Sequence, residues 1–209
     1  MVSLMGALPG SPSAASGIFF GTGNDNMVAL ETERLILRRF SPGDWTDLYE
    51  YLSDEEAVRY EPYGVFDEQE TRREAALRSK QEAFRAVCLK STGKMIGNVY
   101  FRQRDPKEYL TWELGYVFNP AYWGKGYATE SCRAVLRYAF EQRGVRRVVA
   151  LCNPLNTASW KLLGRLNMRR EGCLVKNVFY RRDVFGRPLW QDTYEYAILS
   201  DEWESGRGL

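Results

Sequence analysis

At 209 residues the chain has the length of one domain with room for a sizeable core. Its 29 Lys and Arg against 27 Asp and Glu leave a net charge of +2, too small to argue for nucleic acid or an anionic membrane as partner. It has no histidine, which excludes Ser-His-Asp and Cys-His nucleophilic sites, histidine zinc sites and histidine general bases.

Residues 1–26 are rich in Gly, Ser, Ala and Pro. Without a basic start or a real apolar run they do not read as a secretory signal. They are expected to be an appendage of unknown role, with Met27 an alternative start, ahead of a single domain over 27–209. Residues 34–40 read as a first strand. Ser41-Pro42 then supplies an N-cap and a first helical proline, with Asp44 at the capping-box position, for a short helix to about Leu52. Asp67 with Glu70 three residues on opens a second helix over about 68–84 with a heavily charged surface. Residues 86–90 and 95–104 form a hairpin around 91–94, and the turn 105–108 leads into a strand to Phe118, completing an antiparallel meander.

Asn119-Pro120 breaks that strand, because proline cannot donate to a ladder. The run Tyr122-Trp123-Gly124-Lys125-Gly126-Tyr127-Ala128-Thr129-Glu130 then opens an amphipathic helix to about Arg143 with Ala128, Cys132, Val135, Leu136, Ala139 and Phe140 on one face. Gly144 ends it. Residues 145–151 form a strand parallel to the one before the helix. Residues 156–166 form a shorter helix, and 173–180 pairs with 190–199 as a closing hairpin. The fold class is α/β.

A Gly-rich turn between strand and helix presents backbone N–H groups at the positive end of a helix dipole, an arrangement that binds phosphate. The run lacks the third glycine of the dinucleotide fingerprint, where Thr129 stands, and it lacks the nucleotide P-loop pattern. The expected ligand is therefore phosphate-bearing but neither NAD nor ATP. Cys88, Cys132, Cys152 and Cys173 form no C-x-x-C pair. They read as small core residues in a reducing compartment, with Cys152, near a strand end, the one to watch for reactivity. No metal site, no nucleic-acid motif and no membrane span is expected, and the expected location is cytoplasmic.

Three features together resemble the GNAT N-acetyltransferases. Residues 112–118 running into Trp123-Gly124-Lys125-Gly126-Tyr127-Ala128 are similar to motif A, Q/R-x-x-G-x-G/A, with Gly126 and Ala128 at its small positions. Asn156-Thr157-Ala158-Ser159 leads a helix one strand later, like motif B. Leu30-Glu31-Thr32-Glu33-Arg34-Leu35-Ile36-Leu37-Arg38, with Trp190-x-Asp192 and Glu202-Trp203, resembles the branch containing the ribosomal-protein N-terminal (alanine or serine) acetyltransferases. The resemblance covers about residues 28–204. It implies a mixed, mostly antiparallel sheet with a splayed parallel strand pair and helices on both faces.

It also implies acetyl-CoA as acyl donor. The pyrophosphate would lie on the amides of the turn carrying Trp123, Gly124, Lys125, Gly126, Tyr127, Ala128 and Thr129. The pantetheine arm would pair with backbone of Tyr116, Val117 and Phe118 as an added strand would, and Asn156 would reach it from the other side. Glu113 matches the branch's acidic position and is the candidate base, acting directly or through water. Ser159 matches the residue that stabilises the leaving thiolate. Three departures stand out. Trp123 replaces Gln or Arg, Leu163 replaces a tyrosine that serves as acid in many members, and Asn167-Met168 replaces Gly-Phe. The acceptor is expected to be an amine, either a protein or peptide N-terminus or a small amine such as an aminoglycoside, polyamine or amino acid. A non-catalytic acyl-CoA-binding module is the reading from another class. Glu130 reads as a favourable charge at a helix start. Tyr60, Tyr63, Phe66, Tyr100, Trp112, Phe179 and Tyr180 are candidates for the acceptor cleft, with Glu61 placed to attract a cation, and the closing hairpin is the candidate surface for a homodimer.

Overall fold

Alternating apolar positions build the strands and two separate cores, one on each face of a single mixed sheet. The computed structural model describes residues 29–205, so the expectations for residues 1–26 and Met27 fall outside the described residues. The strands are β1 (Leu30–Glu31), β2 (Leu35–Arg38), β3 (Phe84–Leu89), β4 (Met95–Gln103), β5 (Thr111–Phe118), β6 (Arg147–Cys152), β7 (Arg169–Arg182) and β8 (Pro188–Leu199). They lie in the order β1-β2-β3-β4-β5-β6-β8-β7. The helices are α1 (Trp45–Leu52), α2 (Glu68–Ser79), α3 (Tyr127–Gln142), α4 (Thr157–Arg165) and α5 (Ser200–Ser205).

Strand alternation decides which core each side chain joins. On β5, Leu114, Tyr116 and Phe118 enter the core beneath α3 and α4, with Cys132, Val135, Leu136, Leu162 and Leu163. Val117 turns to the other core, with Leu48, Tyr51 and Leu52 of α1 and Ala75 of α2. Helices therefore cover both faces, as the resemblance implies.

The meander, the crossover through α3 and the closing hairpin all form. β5 and β6 are parallel, and every other neighbouring pair in the sheet is antiparallel. The capping boxes at Ser41/Asp44 and Asp67/Glu70 are both present. Gly144 takes φ 61° just past α3, and Asn167 takes φ 60° after α4, where Met168 N–H donates to the Leu163 carbonyl at 3.1 Å. Asparagine thus serves as the left-handed cap that glycine more often provides.

Five expectations need correction. The second helix stops at Ser79 rather than near residue 84. Phe84 instead begins β3, because its ring packs edge-on to Phe40 and against Tyr100, with centroids 6.4 and 5.2 Å away. The charged surface read on that helix hides a buried cation: Arg78 is 1% exposed. The closing hairpin starts earlier on both arms, at Arg169 and Pro188. Cys173 is exposed rather than a core residue. Cys152 is buried, and burial pushes its thiol up to about 11, which leaves it inert rather than reactive.

Candidate active site

The parallel pair β5/β6 is where the sheet opens. Its register holds for three steps, Thr111 opposite Arg147, Trp112 opposite Val148 and Glu113 opposite Val149, and pairing then stops. β4 stays zipped to β5 up to Gly97 opposite Phe118, and Asn119 N–H still donates to the Ile96 carbonyl at 2.9 Å. The far half of β5 therefore keeps one neighbour and loses the other, which is the splay the resemblance implies. Gly97 makes this close pairing possible, since a Cβ there would come within 2.6 Å of both the Val117 carbonyl and the Phe118 ring.

A cleft of about 520 Å³ opens at the split. Tyr116 and Phe118 form its floor, the turn from Trp123 to Thr129 one wall, and residues 155–165 the other. Pro120–Tyr122 makes a tight helical turn, held by Asn119 Oδ1 accepting from Ala121 N–H at 3.0 Å. The Trp123 indole N–H then donates to the Phe118 carbonyl at 2.8 Å and pins the turn to the end of β5.

Gly124 and Gly126 have φ of 73° and 83°, conformations in which a side chain is strained. Gly126 is the N-cap of α3 and has no side-chain cap bond, so the first turn of α3 opens onto the cleft with its amides uncapped by any side chain. That donor set suits a pyrophosphate. Glu130 does more than balance the dipole. Its carboxylate accepts from Thr32 Oγ1 at 2.5 Å and from Arg34 N–H at 3.0 Å, and pairs with the Arg34 guanidinium at 2.6 Å. The same guanidinium donates to the Lys125 carbonyl at 3.1 Å and stacks over Tyr127. Glu130 is thus a strut between the sheet edge and the turn, and these hydrogen bonds hold its carboxyl below the usual range against the opposing effect of burial.

On the other wall Asn156 caps α4. Its Oδ1 accepts from Ser159 N–H at 3.1 Å. Ser159 is 1% exposed, and its Oγ lies 2.9 Å from the Tyr116 hydroxyl. The phenol is buried, which raises its pKa well above the ordinary value and keeps it neutral. Sequence reading assigned Tyr116 through its backbone alone. Its side chain places a tyrosine hydroxyl against Ser159, although Leu163 occupies the position where a tyrosine was sought. The signal was available: Tyr116 and Phe118 share the strand face that looks toward α4.

Of the remaining site candidates, Tyr127, Ala128 and Thr129 line the cleft. The Lys125 amine is directed to the Ala121 carbonyl at 3.0 Å, so this residue offers the turn its backbone. The Val117 side chain lies in the opposite core, and its N–H and carbonyl face Asn98 of β4, in step with the Asn119–Ile96 bond two residues on, so the backbone that faces the split is that of Tyr116 and Phe118. Glu113 does not line this cleft. It is 5% exposed, faces the α1/α2 side and has the Arg104 guanidinium 3.8 Å away. Four residues of strand put it roughly 13 Å from Val117. Arg165, missed in the sequence, lines the cleft and has its Nε 3.4 Å from Thr129 Oγ1. Among the aromatic candidates Tyr60 lines the cleft, whereas Trp112 stacks on Phe101 at 4.8 Å, and Phe179 pairs with Trp190 on the closing hairpin. Among the described residues no cluster could hold a metal ion, and no helix is long and apolar enough to cross a membrane.

The cleft thus combines a strand split with an uncapped, glycine-turned helix start. Residues 34–169 match the acetyltransferase (GNAT) domain family, and the chain belongs to that family of acetyltransferases. It is 36% identical over 178 residues to the "uncharacterized N-acetyltransferase YnaD" of Bacillus subtilis, covering 83% of this chain and 98% of that protein. The crystal structure of a GNAT-family acetyltransferase from Bacillus anthracis superposes with a TM-score of 0.76 at 35% identity, covering 84% of this chain and all of the other. A shorter stretch, 45% of each chain, is 31% identical to the ribosomal protein uS5-alanine N-acetyltransferase of Escherichia coli.

Proposed function

We propose that the protein transfers an acetyl group from acetyl-CoA to a primary amine by direct attack, and that the acceptor is a protein or peptide N-terminus. The observation that carries the donor half is the split of β5 from β6 beside the uncapped start of α3. The donor brings a thioester, whose carbonyl carbon the amine attacks and whose thiolate leaves. Backbone of residues 116–118 would hold the arm and orient that carbonyl, and the amides around Gly124 to Thr129 would hold the pyrophosphate, with Arg165 nearby as a cation.

Ser159 and Tyr116 act as one unit in this reading. Their hydroxyls are 2.9 Å apart, either can be the donor of the bond between them, and together they would donate to the sulfur as charge develops there. Glu113 would receive the amine proton through water, since it sits upstream on the opposite face of the strand. With no histidine in the chain, the acceptor is best an amine that is partly neutral near pH 7. An α-amino group, with a pKa of about 7.7–8.0, fits better than a lysine at about 10.4. The name of the Escherichia coli relative supports an N-terminal acceptor.

The test is mass-spectrometric detection of acetylated products after purified protein and acetyl-CoA meet a mixed panel of free-N-terminus peptides, polyamines and aminoglycosides. Acetylated peptide N-termini are expected. Acetylated small amines with untouched peptides would move the acceptor to the metabolic class. No acetylated product from any amine would overturn the reading.

A further inference from the structure

Glycines and the Trp123 indole shape the turn before α3 from within, and a further contact reaches it from far off in sequence. Arg34 lies on the link between β1 and β2, 91 residues before Lys125. Main-chain bonds fix it there. Its N–H donates to Glu130 Oε1 at 3.0 Å, and its carbonyl accepts from Lys90 N–H at 2.9 Å. Thr32 Oγ1 accepts from Leu35 N–H at 2.9 Å and donates to the same Glu130 oxygen, which closes the link on itself.

The guanidinium then divides its donors. Nε and Nη2 both reach Glu130 Oε2, at 2.7 and 2.6 Å, which meets the charge. Nη1 donates to the Lys125 carbonyl at 3.1 Å, and the group lies 4.5 Å from the centre of the Tyr127 ring. It therefore grips the residues on either side of Gly126, and a Cβ on Gly126 would lie 3.4 Å from Nη2.

The consequence falls on the peptide between Lys125 and Gly126. That peptide is trans, so its carbonyl and its N–H point to opposite sides. A carbonyl held by Arg34 turns the Gly126 N–H away from Arg34. Gly126 lines the cleft and Arg34 does not. Glu130 N–H bonds back to the Gly126 carbonyl at 3.0 Å to begin the helix ladder, so the amides before it are the free donors of a helix start. Gly124 and Gly126 make this turn cheap to deform, since glycine resists few backbone angles. Donors on such a turn lose affinity to reordering unless something holds them in place.

We propose that Arg34 is a positioning residue for the pyrophosphate of the carrier: it holds the Lys125–Gly126 peptide from behind, so that the Gly126 amide stays aimed into the cleft. Arg34 acts through the turn without touching the carrier. The proposal deepens the donor half of the transferase reading and rests on it. What the position requires is the guanidinium fork rather than its charge. A lysine ammonium is a single point, which can meet Glu130 without also holding the Lys125 carbonyl and covering Tyr127.

The experiment is calorimetric titration of the full chain with CoA, for wild type, Arg34→Ala and Arg34→Lys, with thermal unfolding to check that each variant folds. Both variants are expected to bind CoA about tenfold more weakly, as a loosened donor set would. Steady-state acetyl transfer to a free-N-terminus peptide should show the same rise in the KM for acetyl-CoA, with kcat and the peptide KM near wild type. A merely structural loss would move all three, and that result would overturn the proposal. So would CoA affinity equal to wild type in either variant: in Arg34→Ala because the residue would be idle, in Arg34→Lys because its charge alone would suffice. CoA affinity that depends on Arg34, without transfer to any amine, would contradict the transferase reading alone. Transfer with CoA affinity indifferent to Arg34 would contradict the role of Arg34 alone.

Discussion

The turn from Trp123 to Thr129 and the segment 53–67 face each other across one cleft and are built in opposite ways. The turn is stabilised locally: two left-handed glycines, an indole bonded to the preceding strand and a helix that starts at once. The segment has no regular structure, and its Glu61 side chain and Tyr63 hydroxyl are buried beside a residue distant in sequence, Arg78 on α2. On the proposed function the turn would hold the carrier through its backbone, whereas segment 53–67 would meet the acceptor through side chains, where acceptor choice could vary without disturbing the donor site.

The largest expected effect falls on the cleft floor. Tyr116→Phe and Ser159→Ala should each lower kcat by about 10²-fold with little change in the KM for acetyl-CoA. The double variant should lose barely more than either single one, because the hydroxyls form one unit. Steady-state kinetics on the three variants checks this, and additive losses would separate their roles. Gly97→Ala comes next. The added methyl meets backbone and an aromatic ring at 2.6 Å, so it should cost about 1–3 kcal/mol in urea unfolding and weaken acetyl-CoA binding by displacing Val117 and Phe118.

Gly126→Ala forces a side chain into a left-handed position and should cost about 1–2 kcal/mol. It should raise the KM for acetyl-CoA while sparing acceptor binding. That split sharpens the comparison, because substitution on segment 53–67 should do the reverse.

Glu61→Gln should stabilise the fold above neutral pH, because burial disfavours the charged carboxylate. The unfolded carboxyl titrates near 4.5 and the folded one near 8, so the folded state holds a proton that the unfolded state releases. Wild type should therefore lose stability as pH rises from about 5 to about 8, and the variant should not. Thermal unfolding across that range reads the gap, which should widen upward. The smallest effect is at Glu130, whose folded carboxyl lies below its ordinary value of 4.5. Its contribution is present above that value and lost as pH falls through the folded one. Wild type should exceed Glu130→Gln in stability at neutral pH, and the difference should vanish in acid.

What was legible in the sequence follows the same division. Capping residues, strand alternation and the Gly-x-Gly turn act within a few positions of themselves, so the meander, the crossover and the donor wall could be read directly. Asn167 as a left-handed cap was readable for the same reason. The end of α2 was not, because Phe84 is drawn into the sheet by Phe40 and Tyr100, contacts that no local pattern contains. Arg78 reads as one more charge on a charged helix, and only the fold shows that this position points inward. Glu61 was noticed as a charge near the acceptor wall, but its burial beside Tyr63 and Arg78 depends on the packing of α2 against the segment. The pairing of Tyr116 with Ser159 joins two elements 43 residues apart, and the sequence offered only its two halves.

The central claim is that the carrier lies in the split between β5 and β6 with its phosphates on the turn before α3. Hydrogen exchange of the full chain with and without acetyl-CoA tests it most directly. The account predicts slowed exchange at residues 114–118 and 124–129, with helix α2 unchanged. Protection absent from both stretches, or confined to segment 53–67 and α2, would contradict it.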